Sequence, residues 1–177
     1  MEKLRQTPSQ TIGPFFAYSL TAQQYGYPYN SIINNSLCTD ESGEKIKISG
    51  SVFDGKGEPI PDAMLELWQS NDQGEYHAEM IESVNKVFTG FGRMGTGTDK
   101  FPHFSFLTKK PAALPEQAPH INVILFMRGS LHTLYTRIYF SDEANDSDPV
   151  FQKIEPQRRK TLVAQRKEVN GNIFYHF

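Results

Sequence analysis

The sequence is poor in the features of secreted and membrane-bound chains. Cys38 is its only cysteine, so no internal disulfide can form, which favours a reducing cytoplasm. The N-terminal residues 1–13 are polar and lack the apolar core of a signal peptide. The longest wholly apolar run, residues 123–127, is far shorter than the roughly 20 residues that a membrane span requires. We therefore expect a cytoplasmic protein that makes no contact with a membrane.

The sequence also lacks an excess of charge of either sign. Its formal net charge is -2, which gives no general attraction to the phosphates of nucleic acids. The one basic cluster, QRRK at residues 157–160, is typical of a solvated turn. Nucleic acid is therefore not expected as a partner. A chain of 177 residues is close to the length of one domain, so we predict a single domain over residues 1–177.

Strand patterns dominate the chain. Short alternating or apolar runs separated by glycine- and proline-rich turns predict strands at residues 45–53, 64–68, 104–107, 120–126, 133–140, 161–167 and 173–177. Asp148 followed by Pro149 predicts the start of one short helix. The pattern indicates an all-β fold, an antiparallel β-sandwich with irregular loops. Residues 1–35 combine prolines and glycines with many aromatics, which predicts an extended arm laid across another surface.

Residues 90–95, GFGRMG, match the GxGxxG pattern of dinucleotide-binding loops. That fingerprint requires a strand before it and a helix that starts on its last glycine. Here residues 96–99 are poor helix formers, and the alternation of strands and helices is missing. We therefore exclude nucleotide binding and predict a loop over residues 88–100.

The segment from residue 118 to 129 contains the strongest candidate for a site. His120 follows a proline, and Asn122 stands two residues further on, so both side chains should share one face of a strand. This has the shape of a metal-binding edge in which an amide replaces the second imidazole. On its own, a histidine such as His120 is more often hydrogen-bonded at a strand start than a ligand, and Tyr76 would be a half-buried aromatic. No zinc-binding or serine-nucleophile motif is present, so the residues alone indicate a β-sandwich of unknown role.

Seven segments in chain order carry a more specific indication. They are TPSQTIGP (7–14), ISGSVFDG (48–55), ELWQSN (66–71), GEY (74–76), GFGR (90–93), APHIN (118–122) and TRIYFSDE (136–143). Together they resemble the intradiol ring-cleavage dioxygenases, over nearly the whole chain. The resemblance implies an oxidoreductase of aromatic compound catabolism that uses ferric iron and O2.

Members of this family hold Fe(III) with two tyrosinates and two histidines, hard ligands that suit a hard trivalent ion. The resemblance places these ligand positions at Tyr76, Leu114, His120 and Asn122, of which the second and the fourth have lost the ligand. Gln117 occupies the position of an arginine that stabilises the reacting substrate in active members. The resemblance therefore implies that Tyr76, Leu114, His120 and Asn122 are vestigial metal-site positions. It also implies that the chain binds no catalytic iron by itself.

The same resemblance implies an alpha-type subunit whose beta-type partner holds the iron. Such a subunit completes the partner's pocket for cleavage of protocatechuate, an aromatic acid, to 3-carboxy-cis,cis-muconate. Carried over by position, Thr11, Gly13 and Pro14 of the arm line the partner's active site, and Arg128 lies near the substrate carboxylate. A guanidinium suits a carboxylate, and Gly13 permits close approach of the backbone.

Two alternatives remain open on the sequence. One is a self-sufficient dioxygenase for catechol or hydroxyquinol, which Asn122 opposes because the ligand set would be incomplete. The other is a non-enzymatic transthyretin-like β-sandwich module, which would not be expected to carry the N-terminal arm or the segment 136–143. Family members continue beyond the position of Phe177 with a further strand, so the resemblance also implies that a C-terminal strand is missing.

Overall fold

The computed structural model describes residues 7–13, 15–38, 44–76 and 88–177. These residues form eight strands, three short α-helices and three 3-10 helices. The strands are β1 (Lys45–Gly50), β2 (Met64–Trp68), β3 (Phe91–Gly95), β4 (Phe104–Lys109), β5 (His120–Phe126), β6 (Leu134–Phe140), β7 (Val163–Val169) and β8 (Asn172–His176). The α-helices are α1 (Phe15–Leu20), α2 (Pro149–Gln152) and α3 (Pro156–Arg159), and the 3-10 helices are Ala22–Tyr25, Asn145–Ser147 and Lys160–Leu162. None of the helices in these ranges is long and apolar enough to span a membrane.

The strands pair in the order β3-β2-β5-β6-β7-β8-β1-β4, which makes a barrel-like sandwich and confirms the mostly β fold. The prediction of a wholly antiparallel arrangement is wrong for two of the described pairs, because β6–β7 and β1–β8 are parallel. Between β6 and β7 the chain runs through the helices at residues 145–162, and this crossover returns it in its original direction. β1 and β8 are remote in sequence, so no hairpin turn dictates their relative direction.

Residues 34–38 close the gap between the two ends of this strand order. The Arg93 amide of β3 donates a hydrogen bond to the Asn34 carbonyl at 2.8 Å. On the other side, the Leu107 amide of β4 donates to the Asn35 carbonyl at 3.0 Å, and the Leu37 amide donates to the Leu107 carbonyl at 2.9 Å. The segment therefore satisfies backbone groups that two edge strands would otherwise expose.

The core lies between the two halves of the sheet and follows the predicted alternation. Along β5, Ile121 and Val123 are buried in the main apolar cluster, while His120 and Asn122 lie on the opposite face. Phe104, Phe106, Ile138, Phe140 and Tyr175 fill much of the same cluster. The strand that carries the candidate site is thus held rigidly by its inner face.

The N-terminal arm differs from its predicted extended form. Residues 15–20 form α1, since FFAYSL contains neither glycine nor proline. Ala17 is buried, and the Phe16 ring packs on the Phe126 ring of β5 at 5.3 Å between centroids. The Gln24 side chain also bonds both backbone groups of Gly95. The arm therefore packs against the domain through short helices.

The GFGRMG segment also differs from the prediction of a loop, because residues 91–95 form β3. Its glycines serve close packing rather than phosphate binding. Gly90 has φ +67° and lies so close to the Gln69 carbonyl that an added Cβ would stand 2.6 Å from that oxygen. A Cβ on Gly92 would stand 2.4 Å from the Leu37 Cδ1 atom. The glycines of this pattern therefore belong to a strand and its approach, where neighbouring segments pack too closely for a Cβ.

Replacing Gly90 by alanine is expected to lower the free energy of unfolding by about 1–3 kcal/mol. The new methyl group meets a backbone oxygen, and the left-handed φ strains any residue with a Cβ. Urea denaturation measures the change, with Gly55→Ala as the matched control, because nothing lies within 4 Å of a Cβ at Gly55. Equal stability of the two variants would contradict this account of Gly90.

Candidate functional site

His120, the first residue of β5, is buried, with 3% of its surface exposed. Its Nδ1 atom lies 2.8 Å from the Ala118 carbonyl oxygen, and a carbonyl can only accept, so Nδ1 carries the proton. Burial lowers the pKa of His120 below its ordinary value, which the hydrogen bond to Ala118 only partly offsets. The side chain is therefore a neutral, hydrogen-bonded histidine at a strand start.

Asn122 and Tyr76 form the direct contact between the vestigial positions. The Asn122 Nδ2 donates a hydrogen bond to the Tyr76 hydroxyl oxygen at 3.1 Å. The Trp68 ring of β2, which pairs with Asn122, supports the Tyr76 ring edge-on at 5.4 Å. The amide of Asn122 thus holds the Tyr76 phenol by a hydrogen bond, at the position where the resemblance predicts a second imidazole in active members.

Leu114 lies in the loop before β5, next to the turn that leads to Tyr76. The backbones of Leu114 and Gln117 bond each other in both directions, at 3.0 and 3.2 Å. A Cβ on Gly74 would stand 3.6 Å from the Leu114 Cδ2 atom, so the two loops touch. Gln117 leaves its Oε1 atom buried without a hydrogen bond from the described residues.

The residues at these four positions do not fit a ferric ion. Leu114 offers no donor atom, Asn122 offers a neutral amide that already bonds Tyr76, and only one phenol and one imidazole remain. Among residues 7–13, 15–38, 44–76 and 88–177, no group of three or more His, Cys, Asp or Glu side chains is arranged to hold a metal. We therefore derive no chemical step through iron in this chain.

Arg137 and Asp148 form an ion pair beside the outer face of β5 and β6. No sequence motif predicted that these two residues meet. Arg137 on β6 lies opposite Asn122, and its Nη1 atom is 3.7 Å from the Asp148 carboxylate and 3.4 Å from the Tyr139 hydroxyl. Asp148, the predicted helix cap, is fully buried and accepts from the Val150 and Phe151 amides at 2.8 and 3.0 Å. The sequence offered one signal for this pair: Arg137 stands between Tyr135 and Tyr139 on one face of a predicted strand.

At the other end of β5, the arm meets the turn that follows the strand. The Gly129 amide donates a hydrogen bond to the Thr11 hydroxyl oxygen at 2.7 Å, and Gly129 has φ +84°. The Gly13 carbonyl accepts from the Phe16 amide at 3.1 Å, which starts the turn into α1. Pro14, the remaining arm residue of the predicted substrate-binding set, lies outside the described residues.

Arg128 belongs to this same turn and extends over the surface, with 63% of its side chain exposed. Its guanidinium Nε forms an ion pair with the Asp62 carboxylate from the turn before β2. The structure thus brings Thr11, Gly13 and Arg128 to one area, which we call the arm patch. Asp62 is an addition that no sequence motif indicated.

The arm patch and the vestigial positions lie far apart. Arg128 follows Asn122 by six residues along the strand and its turn. β5 continues for four residues beyond Asn122, which corresponds to about 13 Å of strand at about 3.3 Å per residue, and Arg128 lies in the turn after it. A single catechol-sized molecule cannot reach both, so they are two distinct areas of the surface.

Comparison with known proteins places the chain in context. A family model described as Dioxygenase matches residues 13–175. The protocatechuate 3,4-dioxygenase alpha chain of Burkholderia cepacia is 44% identical, an alignment that covers 100% of this chain and 92% of the relative. The beta chain of the same enzyme in that organism is 31% identical over 81% of this chain and 66% of its own length.

The fold agrees with the same group of proteins. An intradiol ring-cleavage dioxygenase from Tetranychus urticae superposes with a TM-score of 0.65. The match covers 85% of this chain and 88% of that structure at 17% identity, so it concerns the fold alone. The parallel strand pairs and the barrel-like closure are therefore compatible with a known architecture.

Proposed function

This chain belongs to the intradiol ring-cleavage dioxygenase family, and we propose that it is the alpha, non-iron-binding subunit of a protocatechuate 3,4-dioxygenase. In this proposal it works in the cytoplasm as part of an alpha–beta hetero-oligomer. The reaction is cleavage of protocatechuate by O2 between its two hydroxylated carbons, which yields 3-carboxy-cis,cis-muconate. Fe(III) held by the beta subunit supplies the redox chemistry, and this chain contributes binding and shape.

The observation that carries the proposal is the position of the arm patch. Thr11, Gly13 and Arg128 come together at an exposed turn after β5, separated from Asn122 by about 13 Å of strand. In the proposal, a substrate held at another chain's iron reaches these residues across the subunit interface. The relatives named as alpha and beta chains supply that second chain in the proposal.

The chemistry of the arm patch suits an aromatic acid. The Arg128 guanidinium can bind a carboxylate through two parallel hydrogen bonds. Asp62 holds the guanidinium from behind, so that less side-chain freedom is lost when the substrate binds. The Thr11 hydrogen bond fixes the arm beside this turn, so that Gly13 can bring its backbone close to the ring.

The two alternatives have weaker support. A self-sufficient catechol or hydroxyquinol dioxygenase needs a complete set of ligands, and Leu114 and Asn122 do not supply it. A transthyretin-like module is disfavoured because the family match spans residues 13–175 and extends into the arm. No specific observation favours either one.

Iron content tests the assignment. We expect this chain, purified alone from iron-supplemented cells, to be colourless and to contain no stoichiometric iron. Co-expressed with a beta-type partner, it should yield a red-brown complex with one iron per alpha–beta pair and protocatechuate-cleaving activity. Elemental analysis and visible absorption measure both states.

Tyr76→Phe in this chain is the matched control. It removes the one phenol oxygen at the vestigial positions, which accepts the Asn122 hydrogen bond. The iron content and colour of the complex should not change. A coloured, iron-loaded product from this chain alone, abolished by Tyr76→Phe, would overturn the assignment.

A further inference from the structure

Asp62 and Arg128 meet just beyond the ends of two paired strands. In the antiparallel pair β2–β5, Met64 lies opposite Phe126. Asp62 stands two residues before Met64, and Arg128 stands two residues after Phe126, so the same register brings the two charged residues level with each other. The ion pair between the Arg128 Nε and the Asp62 carboxylate is therefore a cross-strand pair that continues into the turns.

The turn that carries Asp62 is fixed by Thr96, a buried residue at the end of β3. The Thr96 hydroxyl accepts a hydrogen bond from the Ala63 amide at 3.1 Å and donates one to the Ile60 carbonyl at 2.6 Å. The Thr96 amide donates to the Ala63 carbonyl at 2.8 Å. Because Asp62 lies between these two anchored residues, its carboxylate has a defined position relative to the sheet.

The N-terminal arm covers the same turn through Tyr25. The Tyr25 hydroxyl lies against the backbone of Gly95 and Gly97, where added Cβ atoms would stand 2.9 and 3.4 Å from it. Burial raises the pKa of Tyr25, and the nearby Tyr18 and Asp62 raise it further. The side chain of Asp62 is only 23% exposed, so its ion pair is screened less by the solvent than a pair on an open surface.

The ion pair determines which part of the Arg128 guanidinium is available to a ligand. Asp62 binds the guanidinium at Nε, which leaves the edge formed by Nη1 and Nη2 for a second carboxylate. The Arg128 side chain is long and largely exposed, so without Asp62 it can follow an acid group to different positions. With Asp62 in place, the guanidinium is held at one position relative to β5.

We propose that Asp62 makes the arm patch selective for a carboxylate that is attached directly to the aromatic ring. The inference rests on the function proposed above and adds to it a positioning residue that acts through Arg128. In 3,4-dihydroxyphenylacetate, one methylene separates the acid group from the ring and displaces it by about 1.5 Å. Arg128 can follow this displacement only by breaking its ion pair with Asp62, so the longer acid is bound less well.

Steady-state kinetics of Asp62→Ala in the assembled alpha–beta complex tests the proposal. We expect KM for protocatechuate to rise about two- to tenfold with little change in kcat, because the freed side chain must be immobilised on binding. Asp62→Asn keeps an oxygen that accepts from Nε, so its KM should lie between the two. Asp146→Ala, the same change at an exposed position, should leave KM unchanged. The iron content and thermal midpoint of each complex check that it folds and assembles.

A comparison of two acids separates selectivity from binding strength. The inhibition constant of 3,4-dihydroxyphenylacetate against protocatechuate cleavage is measured in the unchanged complex and in Asp62→Ala. It should change by less than about twofold, so that the preference for protocatechuate falls about two- to tenfold. Any activity toward catechol, which lacks the acid group, should be the same in both complexes. A merely structural role of Asp62 would change the values for all three compounds alike.

A double variant shows whether Asp62 acts through Arg128. In a complex that already carries Arg128→Ala, the addition of Asp62→Ala should change KM for protocatechuate by less than about 1.5-fold. No guanidinium remains there for Asp62 to position. The effects of the two single variants should therefore not multiply.

The failure of this inference is distinguishable from the failure of the proposed function. An unchanged KM in Asp62→Ala, together with a raised KM in Arg128→Ala, would overturn the role of Asp62 and leave the substrate contact standing. An equal loss for both acids, or a full effect of Asp62→Ala in the absence of Arg128, would overturn it as well. An unchanged KM in Arg128→Ala would instead overturn the substrate contact on which both proposals rest.

Discussion

Replacing Arg128 by alanine in the assembled alpha–beta complex is expected to lower kcat/KM for protocatechuate by about ten- to hundredfold. A hydrogen-bonded contact between charged groups contributes about 1.5–3 kcal/mol, and each 1.4 kcal/mol corresponds to tenfold. Because the contact is made to a carboxylate that does not react, much of the loss should appear in KM. Steady-state kinetics with air-saturated buffer measures the effect.

Catechol is the sharpest control, since it lacks the carboxylate. Any activity of the complex toward catechol should be the same with Arg128 or with alanine at this position. For protocatechuate, kcat/KM of Arg128→Lys should lie between the values of the unchanged complex and of Arg128→Ala, because lysine keeps the charge and loses the planar fork. Lys56→Ala, at an exposed turn, should leave the kinetics unchanged. Unchanged KM and kcat in Arg128→Ala would remove Arg128 from the substrate pocket.

Replacing Asp148 by alanine is expected to lower the free energy of unfolding by about 3–5 kcal/mol. The carboxylate is fully buried, caps α2, and accepts hydrogen bonds from the Ala118 amide and the Tyr139 hydroxyl. Its removal leaves these donors without a partner and leaves Arg137 without its counter-charge. Chemical denaturation measures the loss, and Asp146→Ala, two residues away and exposed, should cost less than about 0.5 kcal/mol.

The same carboxylate should make stability depend on pH. Burial alone raises the pKa of Asp148. Hydrogen bonds from the Phe151 and Val150 amides and the Tyr139 hydroxyl, together with the positive charge of Arg137, outweigh it and hold the pKa below its ordinary value. A depressed pKa contributes stability above the unfolded value of about 3.9, and this stability is lost as the pH falls further. Below about pH 4, the free energy of unfolding should therefore fall less steeply with decreasing pH in Asp148→Asn than in the unchanged protein. The same slope in both proteins would contradict the role of Asp148.

Much of the fold follows from local patterns. The alternation of apolar residues in β5 predicted that His120 and Asn122 share a face, and the structure confirms it. The cap of α2 was equally local, since Asp148 and Pro149 carry it without help from the rest of the chain. The strand at residues 91–95 was missed because glycines have low strand propensity. Only the folded chain gives them a reason, since Gly92 packs against Leu37 and Gly95 packs against Tyr25.

The sequence by itself determined the mostly β character, because the period of the apolar side chains is a property of residue order. Its resemblance to the family implied that Leu114 and Asn122 stand where active members have iron ligands. The parallel strand pairs depend on long connections, whose course no local pattern specifies. Only the tertiary structure brought Asp62 to Arg128, and Arg137 to Asp148, across separate elements. It also decided that Thr11 of the arm lies at the turn after β5, since a contact between residues 118 positions apart is a property of the folded chain.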